Sequence, residues 1–120
     1  GSDVVSMINT IPAMAIDIET RRPKIANITG GLSGPAVKPV AVKMVYETAR
    51  AVDIPIIGMG GIFSGEDAVE FLLAGASAIA VGTAIFTDPL APLKVLGGIS
   101  AYLERHGCKS VTEIIGQVRV

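Results

Sequence analysis

Two glycine-containing stretches, GMGGI (Gly58 to Ile62) and AGASAIAVGTAIF (Ala74 to Phe86), are the parts of this chain best suited to hold an anion. A phosphate needs exposed backbone N–H groups with no Cβ in the way, and the start of a following helix adds favourable partial positive charge. Either stretch alone is equally well explained as a tight turn. Two of them one repeat apart favour a phosphate site at the glycines where each strand ends and a helix is about to begin. A third glycine-rich loop, GGLSG at Gly30 to Gly34, adds further N–H groups and the Ser33 hydroxyl. Asn9-Thr10 offers an amide and a hydroxyl. Such a pair suits a planar ligand bearing carbonyls, N–H groups or a carboxylate, and it equally suits a turn that bonds its own backbone.

Side chains for acid–base or nucleophilic work are missing from these loops. The one histidine, His106, falls near the end of a C-terminal helix beside Gly107, and Cys108 lies just beyond it. Asp17 and Glu19 alternate with isoleucines, as on the solvated face of a hairpin, and Asp67 fits a helix cap. No His, Cys or carboxylate cluster has metal-ligand spacing. A phosphate cradle without catalytic side chains implies that a cofactor does the chemistry, that the catalytic residue lies elsewhere, or both.

The elements that must position these loops follow from the apolar pattern. Val4 to Ile8, Ile54 to Met59 and Ala78 to Val81 are short apolar runs without clean alternation, as expected for parallel strands covered on both faces. The stretch Ala15 to Ala26 reads as a hairpin: AIDIE, the turn-like TRRP, then KIA. Val37, Val40, Ala41, Met44, Val45, Thr48 and Val52 share one helical face. A second helix is expected to start at an Ser64 N-cap and stop at Gly75. A third is expected from an Asp88 N-cap with Pro89 in its first turn, continuing through Leu90, Leu93, Leu96, Ile99 and Leu103, with Gly97-Gly98 weakening or breaking it. Strand–helix alternation implies a parallel sheet with right-handed crossovers. A closed (β/α)8 barrel typically takes about 250 residues, so three units form less than half of one.

Composition narrows the partners. Half of the 120 residues are hydrophobic, aromatics are 4%, and the net charge is −1, with mean hydropathy +0.58. This is not a disordered tail, and neither nucleic acid nor a membrane surface is an expected partner. No apolar run reaches the ~18 residues of a spanning helix. A lone cysteine rules out an internal disulfide framework and fits a reducing cytoplasm. Two open sheet edges would favour association, so a homo-oligomer is expected.

The strand INT, the segment ANITGGLSGPAVKPVAVKMVY, the strand IPIIGMGGI and the stretch FLLAGASAIAVGTAIF resemble dihydroorotate dehydrogenase, most closely the catalytic subunit of its NAD-linked two-subunit type. The resemblance covers nearly the whole chain in the family's order. It implies the C-terminal units, about strands 6 to 8, of an FMN-binding TIM barrel that oxidises (S)-dihydroorotate to orotate in pyrimidine synthesis. It implies that Ile8, Gly34, Gly60, Gly61, Gly82 and Thr83 contact FMN, and that Asn9 and Thr10 bind the orotate ring. It also implies a partner subunit carrying FAD and a [2Fe–2S] cluster, and a catalytic cysteine base upstream of everything present here. Two alternatives stay open: a non-catalytic half-barrel module that binds phosphate compounds, and a related FMN barrel such as dihydropyrimidine dehydrogenase.

Overall fold

The computed structural model describes residues 1–120. The chain runs through β1 (Val5–Met7), β2 (Ile11–Ala13), β3 (Ile16–Asp17), β4 (Arg22–Pro23), β5 (Gly30–Leu32), α1 (Lys38–Ala49), β6 (Ile56–Met59), α2 (Gly65–Ala74), β7 (Ala78–Ala80) and α3 (Ala91–Arg105). Short 3₁₀ turns at Pro35–Val37 and Thr83–Phe86 lead towards α1 and α3, and a third lies at Val111–Glu113.

β1, β6 and β7 form one parallel sheet in that order, with Val5 opposite Ile56 and Ile57 opposite Ala78. The strands are shorter than their apolar runs by one or two residues at the ends. Consecutive parallel strands joined by α1 and α2 make three successive units of a (β/α)8 barrel wall. β1 and β7 each pair only with β6, so both outer edges are open.

The excursion after β1 is longer than the expected hairpin. β3 and β4 do pair antiparallel, but β2 and β5 also pair below them, with Ile11 opposite Leu32. The GGLSG stretch is therefore a strand for its first three residues rather than a loop throughout. Gly31 permits this: a Cβ there would stand 2.0 Å from the Thr10 Oγ1. Asp17 is less a free solvated carboxylate than a turn-former, accepting the N–H groups of Glu19 and Thr20.

α2 starts and stops as its sequence predicts. Ser64 Oγ accepts from Asp67 N at 3.1 Å while the Asp67 carboxylate accepts from Ser64 N at 2.9 Å, which is a capping box. Gly75 ends the helix at φ 120°. α3 departs from expectation at both marked points. Asp88 accepts the N–H of Leu90 and pairs with Lys94, so it closes a turn across Pro89, and the N-cap falls at Leu90. The helix then passes unbroken through Gly97-Gly98.

The core lies between the sheet and the helices, with Phe71, Ile56, Val45 and Val95 its largest fully buried side chains. On α1 the buried line is Val37, Ala41 and Val45, with Val42 and Tyr46 packed beside it; Val40, Met44 and Val52 are exposed. On α3 the buried pair is Ala91 and Val95, whereas Leu90, Leu93 and Leu96 are exposed. The two helices carry more apolar surface than these three units cover.

Candidate anion-binding cleft

The C-terminal ends of β1, β6 and β7 open on one cleft of about 500 Å³. Ile8, Asn9 and Thr10 reach it from beyond β1, Gly60 and Gly61 from beyond β6, and Gly82 and Thr83 from beyond β7. A parallel sheet gathers these loops because every strand ends on the same side. Gly34 does not line the cleft but backs it. Its carbonyl oxygen would stand 2.7 Å from a Cβ on Gly61, and its own Cβ would meet Thr83 Cγ2 at 3.9 Å.

Gly60 and Gly61 have φ of 117° and 81°, a region that side-chain-bearing residues rarely adopt. Their N–H groups, and those of Ile62 and Gly82, donate to no acceptor in the protein. Gly61 and Ile62 are buried, Gly60 is half-buried and Gly82 is exposed; four donors without a protein partner on adjacent strand ends suit an oxyanion. The first N–H groups at α2 are differently employed: Phe63 N and Ser64 N both donate to Asp67 at 2.9 Å. The donors open to an anion thus lie before the helix rather than at its first turn.

Behind the glycines stands the best-connected charge of the chain. Lys38 Nζ lies 2.6 Å from both Asp67 Oδ1 and Glu70 Oε1. The Asp67 carboxylate, followed by that of Glu70, holds the Lys38 ammonium above its ordinary range. Burial pushes the Asp67 carboxyl up and is its largest single influence. The Lys38 ammonium, Phe63 N–H and the Ser64 hydroxyl and N–H together outweigh it and leave the group below the usual carboxylate range.

At the mouth, Asn9 Oδ1 accepts from Thr10 N at 2.8 Å. The self-bonding turn foreseen as the alternative is therefore present, and it leaves the Asn9 amide nitrogen as a donor. The lining also includes residues not singled out from sequence, among them Ser6, Leu32, Met59, Phe63 and Val81. Ser6 carried a usable signal as the polar interruption of an apolar strand. No lining residue is ionisable, and no group of His, Cys, Asp or Glu could hold a metal ion. His106, the C-cap of α3, donates from Nδ1 to the Tyr102 carbonyl, and Cys108 lies just beyond it, both outside the cleft. The apolar floor with a row of free N–H groups fits a flat ring system bearing an anionic tail.

Such a cleft at the C-terminal ends of such strands belongs to a piece of a (β/α)8 barrel. The family model for dihydroorotate dehydrogenase matches residues 1–103, and the chain belongs to the dihydroorotate dehydrogenase family. It is 61% identical over 120 residues to the protein of Bacteroides fragilis named dihydroorotate dehydrogenase B (NAD(+)), catalytic subunit, covering all of this chain and 40% of that one. It is 58% identical to the protein of the same name from Caldicellulosiruptor bescii, again covering all of this chain and 40% of the other. A crystal structure of DHODH from Eimeria tenella in complex with ferulenol superposes with a TM-score of 0.78 at 30% identity, over 96% of this chain and 31% of that one. The chain thus spans about 40% of the length of the curated relatives it matches.

Proposed function

We propose that residues 1–120 form part of an FMN-binding barrel domain that oxidises (S)-dihydroorotate to orotate, and that they supply its FMN-phosphate cradle and part of its orotate pocket. One observation carries the reading: four unpaired N–H groups, on Gly60, Gly61, Ile62 and Gly82, line a single cleft at adjacent strand ends.

In this reading Gly60, Gly61, Gly82 and Thr83 hold the phosphate end of FMN, with Ile8 against its ring and Gly34 supporting the Gly61 turn. FMN, when bound, supplies the acceptor for the hydride that leaves dihydroorotate. Asn9 offers its amide nitrogen and Thr10 its hydroxyl to the carbonyl or carboxylate oxygens of the substrate ring, which fixes the ring against rotation. Apolar lining residues such as Ile8 and Val37 exclude water from the ring's face. The cleft has no ionisable side chain, so the base that removes the substrate's proton belongs to the remainder of the barrel, which relatives of greater length support. Activity therefore requires that remainder.

The relatives' names, which specify a catalytic subunit and NAD(+), support an electron-transfer partner subunit. We assign FAD and a [2Fe–2S] cluster to that subunit, a homo-oligomeric catalytic core, and a cytoplasmic setting in keeping with the single free thiol of Cys108. No helix is long and apolar enough to cross a membrane.

The test is to purify a complete barrel carrying this sequence and record its visible spectrum before and after anaerobic addition of dihydroorotate. A flavin band that bleaches supports the reading. A colourless protein that binds only phosphate compounds would make the segment a binding module instead.

A further inference from the structure

We propose that Asp67 and Lys38 are positioning residues for the cleft, clamping the turn after β6 onto the start of α1 so that the Gly60–Ile62 N–H groups stay aimed together. This rests on the reading that the cleft holds the FMN phosphate. The clamp is visible in one carboxylate. Asp67 Oδ2 accepts from Phe63 N and Ser64 N, both at 2.9 Å, and so grips the backbone just beyond Gly61-Ile62. Its other oxygen, Oδ1, takes Lys38 Nζ at 2.6 Å. Lys38 is the residue on which Gly61 rests, for a Cβ on Gly61 would meet Lys38 Cβ at 2.8 Å and Lys38 N at 3.0 Å.

Backbone on one side and ion pair on the other therefore tie the same two loops at two points. Lys38 and Asp67 side chains are only 21% and 17% exposed, so the pair is shielded from solvent screening. Glu70, at 50% exposure, is a second and weaker anchor for the ammonium. Neither Lys38 nor Asp67 lines the cleft. Their effect on a bound phosphate is therefore indirect, through the orientation of donors that must converge on one anion.

The experiment uses a complete barrel carrying this sequence, with FMN affinity followed by flavin fluorescence and the phosphate's surroundings by the phosphorus resonance of bound FMN. Lys38→Met and Asp67→Asn are each expected to weaken FMN by about tenfold, the effect of misdirecting one strong hydrogen bond, and to move or broaden the resonance. Lys38→Arg should restore most of the affinity, and Glu70→Gln should lower it by no more than about twofold, as for an exposed pair. Val95→Ala, a cavity in the core at a residue that does not itself line the cleft, serves as the stability control. It should lower the unfolding temperature and leave affinity and resonance unchanged. Wild-type affinity and resonance in Lys38→Met and Asp67→Asn overturn the proposal. So does a loss in Val95→Ala as large as theirs, because affinity would then track stability alone. A wild-type protein that takes up no FMN overturns the functional reading itself, and this inference with it.

Discussion

Gly65 on α2 and Gly98 on α3 meet backbone to backbone: a Cβ added to Gly65 would stand 2.4 Å from the Gly98 Cα, and one added to Gly98 would stand 2.7 Å from the Gly65 Cα. Its neighbour Gly97 has open space around it. Adjacent glycines in one helix should therefore respond to alanine in opposite directions. Gly98→Ala is expected to destabilise by about 1–3 kcal/mol through overpacking. Gly97→Ala should stabilise by about 0.5–1 kcal/mol, because alanine is the better helix former and the site is unobstructed. Urea denaturation of both variants decides this, and a loss of stability in Gly97→Ala would refute it.

Gly61 and Gly82 separate folding from binding in the same way. A Cβ on Gly61 would meet the Gly34 carbonyl at 2.7 Å, at a φ of 81°, so Gly61→Ala should lower stability and flavin affinity together. Nothing in the protein lies within 4 Å of a Cβ on Gly82. Gly82→Ala should therefore keep the unfolding temperature near wild type while weakening FMN, since only the ligand would meet the new methyl. Unchanged FMN affinity in Gly82→Ala would place the phosphate elsewhere.

The acid limb of stability should carry the signature of Asp67. Its carboxyl is held below the ordinary carboxylate range in the folded chain. A depressed carboxylate contributes stability that is complete above the unfolded pKa and is lost as pH falls through the folded one. Asp67→Asn is expected to cost about 1–3 kcal/mol near neutrality, as a cap and a charged hydrogen bond are lost. That deficit should shrink as pH drops below about 4, where the unfolded carboxyl of the wild type becomes protonated. Lys38 mirrors this at the alkaline end: its raised value contributes stability that is present below 10.5 and is lost as pH rises through the folded pKa. Denaturation midpoints of wild type and Asp67→Asn across acid pH provide the check; a deficit that stays constant would contradict it.

The apolar face formed by Phe86, Leu90, Leu93 and Leu96 is exposed, from 57% at Leu90 to 92% at Phe86. Together with the open edges of β1 and β7, it should make residues 1–120 on their own self-associate. Replacing Leu93 and Leu96 with Glu should shift the sedimentation profile towards monomer. A sharply melting wild-type monomer would show that these surfaces need no cover.

Local chemistry accounts for what could be read from the chain alone. The α2 boundaries were legible because Ser64, Asp67 and Gly75 act within one turn of themselves, and capping is a short-range interaction. The order of strands and helices was legible because apolar runs and glycine stops recur in sequence. The loops Asn9-Thr10, Gly60-Gly61 and Gly82-Thr83 could be grouped because a parallel sheet brings all strand ends to one side. What stayed hidden depended on contacts between distant residues. Nothing near Gly97-Gly98 announces that Gly98 is matched to Gly65, so the pair reads as a helix breaker. Nothing near Ile11 announces Leu32, so the β2–β5 ladder reads as loop. Lys38 has no local sign of its partners, which lie 29 and 32 residues away. Sequence thus determined the units, their order and the glycines at their ends. Tertiary structure alone decided which faces of α1 and α3 are buried and how one carboxylate ties the cleft's two loops together, because those outcomes depend on where separate elements meet.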